Sequence, residues 1–316
     1  MSGKDNRGVG SARGPAVHRR AILAGARRTL MGLVVGLVAT SVCGGAAVAD
    51  PAASDEFTSL VIPVGSSQIA ARSIGSGPLV VLIPSLGRPG SDFDPIARRL
   101  AGDGFRAVSF DPRGIGQTVT PSQSLVGLTL HDYAADAFGV VEHFGARAHV
   151  VGHAFGNRVA RTLAGDRPEA VTTVTLLAGG TELPNPRSIT GLLKIANPAT
   201  PEAEFQATVR EQFFAPGNDA SSWYQGWSRP GMVAQQAATV ATPKGQYESG
   251  GTAPMLAVQA VQDVIAPPAT TEELRSHYPD RVTVAEIDRA GHALVTEQPN
   301  AIADAVIPFL RAHPLA

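Results

Sequence analysis

The chain has 316 residues, 44% of them hydrophobic and 17% charged, with one cysteine. These values are ordinary for a globular protein, large enough to build its core without disulfide staples. The formal net charge is −1, but residues 1–49 hold Lys4, Arg7, Arg13, Arg19, Arg20, Arg27 and Arg28 against Asp5 alone, so the remainder is acidic by −7. A body of that sign has no electrostatic reason to bind nucleic acid or an anionic membrane surface.

The N-terminus reads as a targeting segment. A basic stretch ends at Arg27-Arg28, an apolar run spans Leu30 to Val42, and Ala47-Val48-Ala49 is a small-x-small cleavage site before Asp50. This predicts a signal peptide over 1–49 and export, with the Arg27-Arg28 pair suited to the twin-arginine route. The alternative is an uncleaved anchor, against which the run is short and interrupted by glycine. Cys43 raises the question of a lipoprotein, but Val42 stands where a small residue usually precedes a lipidated cysteine. Cleavage after Ala49 removes Cys43, so the mature chain is expected to have no disulfide, thiolate nucleophile or thiolate metal site. No stable membrane association is expected after cleavage, and no obligate interface is apparent, so a monomer is expected.

Residues 50–56 read as a linker, and 57–316 as one domain. Alternating segments at Phe57–Val64 and Gln68–Ile74, joined by Gly65-Ser66, predict a β-hairpin. The continuous apolar run Leu79–Ile83 suits a strand buried on both faces. A helix is expected over Asp92–Ala101, a strand over Phe105–Phe110, and a helix over Leu128–Phe144. A strand ends at His149-Val150-Val151, a helix begins at Asn157–Leu163, and Val171–Leu177 is again a buried strand. Residues 181–250 break the rhythm with short helical stretches and hold both tryptophans, with Phe205, Phe213, Phe214, Tyr224 and Tyr247. Strand–helix alternation resumes through Met255–Val261, Thr270–Ser276, Val282–Ile287 and Ala301–Leu310. Such alternation implies a mostly parallel sheet covered on both faces. The 181–250 interruption reads as a lid over the sheet's carboxyl edge, where ligands bind in open α/β folds.

The strongest local motif is Gly152-His153-Ala154-Phe155-Gly156, between a predicted strand and a predicted helix. It has the form G-x-nucleophile-x-G, apart from its central residue. Small flanking residues relieve crowding around a strained central position. The turn also aims the Phe155 N–H and a helix N-terminus at the space above residue 154. Alone, the pattern reads equally well as tight helix–strand packing. It does not stand alone. Asp263 follows one predicted strand and His292 follows the next, 109 and 29 residues further along the chain respectively. In that order the acid orients the histidine and stabilises its imidazolium, so that the histidine acts as general base. The plainer alternatives are a helix-capping acid and a surface histidine. Pro84-Ser85-Leu86-Gly87-Arg88 follows the first buried strand; its Leu86 N–H is the candidate second oxyanion donor, and Ser85 offers a hydroxyl unless it is only a turn residue. Asp111-Pro112-Arg113-Gly114-Ile115-Gly116 reads as a structural turn.

Together these motifs resemble the α/β-hydrolase superfamily, over roughly residues 57–314. The resemblance implies an eight-stranded, mostly parallel sheet with helices on both faces and a small helical lid. It also implies cofactor-free hydrolysis of a small molecule such as an ester, lactone or amide. His153 is an expected binding residue beside the elbow, and Trp223, Trp227, Phe213 and Phe214 are expected to line the substrate pocket as an apolar lid. No phosphate loop, metal-ligand cluster or dinucleotide fingerprint is present in the sequence, so neither cofactor nor metal is expected.

The departure is Ala154. A methyl group cannot attack a carbonyl, so no acyl-enzyme can form there. Four readings remain: an enzyme using the His292–Asp263 dyad as a general base, a binding or sensing protein without turnover, Ser85 as substitute nucleophile, and a serine-to-alanine change made to trap substrate.

Overall fold

The computed structural model describes residues 56–145, 147–180 and 186–315. The proposed signal peptide, its cleavage site, Cys43 and almost all of the proposed linker lie outside the described residues. Eight strands form one sheet: β1 (Thr58–Val64), β2 (Ser67–Ile74), β3 (Leu79–Ile83), β4 (Arg106–Phe110), β5 (Ala148–His153), β6 (Val171–Leu177), β7 (Met255–Ala260) and β8 (Val282–Ile287). Their spatial order is β1-β2-β4-β3-β5-β6-β7-β8. The β1–β2 and β2–β4 pairs are antiparallel, and every later pair is parallel. The hairpin and the buried parallel strands therefore stand where the residue pattern predicts them.

The helices are α1 (Asp94–Gly102), α2 (Leu130–Phe144), α3 (Phe155–Asp166), α4 (Pro186–Ala196), α5 (Glu202–Phe213), α6 (Arg229–Ala241), α7 (Pro268–His277), α8 (Leu294–Glu297) and α9 (Pro299–Arg311). Strand alternation divides the core in two. Val81 and Ile83 of β3 pack with apolar residues of α2, α3 and α7. Val80 and Leu82 pack with α1 and α9 on the other face. All five residues of β3 are buried, which is why its sequence is continuously apolar rather than alternating.

Local chemistry sets several boundaries. The predicted helix over Asp92–Ala101 divides into a 3₁₀ turn at Gly90–Phe93 and then α1. Helix α2 starts two residues later than the pattern suggests because Thr129 and Asp132 form a capping box. The Asp111 loop is a structural turn. One carboxylate oxygen accepts from the Gly90 N–H and the other from the Gln117 N–H, both at 2.8 Å. The segment between β6 and β7 contains α4, α5 and α6. Helix α6 has a double role: its Ala238 joins the α2/α3 side of the core, while Met232 joins the other cluster with the lid aromatics. Among the described residues no helix is long and apolar enough to cross a membrane.

Candidate active site

Four loops leave the carboxyl ends of β3, β5, β7 and β8, and each carries a residue singled out above. After β5 the chain turns sharply at Ala154, with φ 49° and ψ −105°, and enters α3 at Phe155. An alanine at positive φ is strained by about 1–3 kcal/mol. The neighbouring strands hold it there: its N–H donates to the Leu177 carbonyl at 3.0 Å. The flanking glycines are obligatory. A Cβ on Gly152 would overlap the Gly156 carbonyl, and one on Gly156 would overlap the Ile83 carbonyl. The elbow geometry is thus complete with a methyl at its tip.

Asp263 follows β7 by three residues and is buried. One of its carboxylate oxygens accepts from the Ile265 and Ala266 N–H groups, each at 2.8 Å. The other accepts from Nδ1–H of His292 at 2.9 Å. That bond fixes Nδ1 as the protonated ring nitrogen and leaves the lone pair on Nε2. His292 is also buried, yet its ring reaches a cavity of about 260 Å³ whose wall includes Ala154, Phe155, Leu86 and Ser85. The Phe155 N–H opens helix α3, where no intrahelical partner exists. Neither it nor the Leu86 N–H has an acceptor among the described residues. His292, Ala154, Leu86 and Phe155 therefore line one cavity. Ser85 is on its wall, but the Ser85 hydroxyl makes no hydrogen bond to His292 among the described residues.

The loop with Ser85 and Leu86 is clamped to α6. The Gly87 N–H donates to Gln235 Oε1 at 2.7 Å, and the Ser228 N–H donates to the Gly87 carbonyl at 2.9 Å. Arg88 is 2% exposed. Its guanidinium grips Asp92 through two bonds of 2.8 Å. It also lies 4.6 Å and 5.0 Å from the ring centres of Trp223 and Trp227. Burial pushes the Asp92 carboxyl up, and Arg88 pulls it back down. Sequence reasoning missed this arginine because charged residues are rarely buried. Its spacing of four from Asp92 was the available signal.

Three expectations need correction. Phe213 and Trp227 line the cavity, but Trp223 and Phe214 do not. Trp223 is 0% exposed and packs behind the wall, its ring 5.7 Å from Phe214 and 5.5 Å from Trp227. His153 likewise does not line the cavity. It is enclosed at 0% exposure, and its Nε2–H donates to the His292 carbonyl at 2.7 Å. Burial, with His292 nearby, pushes its pKa down to about 3, so it is neutral.

Glu297 was also missed. One carboxylate oxygen accepts from the Ala215 N–H and the Asn218 side-chain amide, and the other from the Gly291 N–H, all at 2.7 Å. It thus ties the loop that bears His292 to the end of α5. Burial raises its pKa, and the three donors oppose that. Among the described residues no group of three or more His, Cys, Asp or Glu side chains is arranged to hold a metal ion.

The alpha/beta hydrolase family model matches residues 80–305. Rhodomycin D methylesterase DnrP of Streptomyces peucetius is 27% identical over 259 residues, covering 69% of this chain and 86% of that protein. The structure of Rv0554 from Mycobacterium tuberculosis superposes with a TM-score of 0.68 at 24% identity, over 82% of this chain and 100% of that one. A thermophilic esterase from Thermogutta terrifontis superposes with a TM-score of 0.67 at 20% identity, again over 82% and 100%. The relatives are esterases and other hydrolases of one fold, and the elbow, dyad and donor loop occupy its carboxyl edge. The chain belongs to the α/β-hydrolase family.

Proposed function

We propose that this protein is an exported hydrolase that attacks a small ester, lactone or related carbonyl compound with water and forms no covalent intermediate. The observation that carries this reading is the intact Asp263–His292 bond opening onto the cavity that holds Ala154 and the two unengaged N–H groups. No hydroxyl stands at the elbow tip, where residue 154 is alanine, and a water molecule takes the role of a nucleophile. His292 Nε2 accepts a proton from that water as its oxygen bonds to the carbonyl carbon. The developing oxyanion is held by the Leu86 and Phe155 N–H groups. The imidazolium, stabilised by Asp263, then returns its proton to the leaving oxygen as the C–O bond breaks. The products are an acid and an alcohol. A methylesterase among the relatives makes methyl esters the first class to test.

The methyl of Ala154 also favours a second reading, a binding protein that retains the pocket without turnover. The two separate on one comparison. Purified protein is assayed on a panel of methyl esters and lactones beside His292→Ala. The enzymatic reading expects the variant to lose about 10²-fold or more of the rate, in line with general base catalysis. A variant no slower than the parent overturns it and leaves the binding reading. Export rests on the basic, apolar and Ala47-Val48-Ala49 features of the N-terminus, and the N-terminal sequence of the mature protein tests it.

A further inference from the structure

A second cavity of about 520 Å³ lies between α4 and α6. Leu86, Ile189, Leu192 and Gln236 line both it and the catalytic cavity, so the two adjoin. Their polarity differs sharply. Among the described residues Gln236 is the only polar one on the walls of the α4–α6 groove, whereas Asn157, Arg158 and Arg161 of α3 line the catalytic cavity. The groove is also left open. Of the nine large aliphatic side chains exposed among the described residues, four lie in it: Ile189 at 58%, Leu193 at 65%, Val233 at 63% and Val240 at 79%. Isolated exposed aliphatics are ordinary, but four in one continuous groove mark a binding surface.

Leu86 says what the surface binds. Its N–H is one of the two oxyanion donors, and its residue forms part of the groove wall. A carbonyl held at that N–H therefore has a substituent at the mouth of the groove. We infer that the groove holds an elongated apolar group of the substrate itself, so that the substrate is an amphiphilic carbonyl compound. Its reacting carbonyl and polar part lie in the catalytic cavity, and its aliphatic or polycyclic part lies between α4 and α6. This inference rests on the reading of the catalytic cavity under Proposed function. The groove's volume lies within the range of ligand sites, roughly 300–1,000 Å³, and the catalytic cavity adds to it.

Methyl ketones test it, because they present a carbonyl and an alkyl chain but are not hydrolysed. Binding of 2-hexanone and 2-dodecanone is measured by calorimetry on the whole protein, Leu193→Asp and Val233→Asp. Both variants alter exposed side chains, and unchanged circular dichroism checks their folding. A half-covered chain gains about twofold in affinity per methylene, about half the logarithmic gain of full burial. The parent is expected to bind 2-dodecanone at least about 30-fold tighter than 2-hexanone. Each variant is expected to lose most of that gain and keep its affinity for 2-hexanone. Equal affinity for the two ketones in the parent, or a gain that survives both substitutions, overturns the inference. So does a dimer seen by sedimentation that Val233→Asp dissociates, which assigns the groove to a second copy. So does binding to phosphatidylcholine vesicles that Val233→Asp abolishes, which assigns it to a lipid surface. The ketones are not hydrolysed, so the groove is read from binding to the parent and the two groove variants, the hydrolytic reading is read from turnover, and the failure of either is distinguishable from the failure of the other.

Discussion

The Nε2–H of His153 donates to the backbone carbonyl of His292 across 2.7 Å. The residue before the elbow tip thus holds the loop that carries the base. Nδ1 of His153 has no hydrogen-bond partner among the described residues, and its ring centre is 5.6 Å from that of His292. A second proton on His153 has nowhere favourable to go.

Acid stability follows from this. Burial lowers the pKa of His153 to about 3 and that of His149 to about 4, from 6.5. Between those values and 6.5 the unfolded chain binds more protons than the folded one. The contribution of these two histidines therefore rises with pH through that window and is lost as pH falls below 6.5, while raised groups such as His131 and Glu297 act in the opposite direction. Each neutral histidine withholds about 2 kcal/mol at pH 5. Urea unfolding at pH 7.5 and pH 5 is expected to give a lower midpoint at pH 5, with the drop reduced in His149→Gln. A drop in His149→Gln as large as the parent's contradicts the assignment.

Arg88 is predicted to be a positioning residue for the Leu86 donor. Arg88→Met leaves Asp92 buried without its cation, and breaking such a pair costs about 3–5 kcal/mol. Chemical unfolding measures the loss. Adding Asp92→Leu removes the stranded charge and is expected to recover most of it. If Arg88→Met unfolds at the parent's midpoint, the clamp contributes nothing.

Glu297→Gln keeps the shape but turns an amide donor toward groups that already donate, the N–H of Gly291 or those of Ala215 and Asn218. The mismatch costs about 1–3 kcal/mol. Because it loosens the loop bearing His292, turnover is expected to fall while KM stays close to the parent value. A rise in KM at constant kcat would point to the lid rather than the base.

The parent protein is predicted to resist fluorophosphonate labelling, because no serine hydroxyl is hydrogen-bonded to His292 among the described residues. Intact mass spectrometry reads this directly. An adduct mapped to Ser85 would make that residue the nucleophile.

The sheet and the dyad were legible because each rests on local pattern. Continuous apolar runs mark β3 and β6, and Asp263 and His292 follow predicted strands in nucleophile–acid–histidine order. The lid was legible only as an interruption. Trp223 and Trp227 look alike in sequence, but Arg88 draws both rings over its guanidinium and leaves one behind the wall and the other on it. The Arg88–Asp92 spacing of four was readable, but the stacking of Arg88 on the tryptophans, the ties of Glu297 to Ala215 and Asn218, and the inward role of His153 depend on contacts between segments distant in the chain.

Restoring the missing hydroxyl with Ala154→Ser tests most directly whether only the covalent step is absent. The elbow already holds residue 154 at φ 49°, so serine enters a prepared position. An otherwise complete site predicts a gain of at least about 10³-fold in ester hydrolysis, with stoichiometric fluorophosphonate labelling of the introduced hydroxyl. A folded variant that neither labels nor hydrolyses faster than the parent contradicts it.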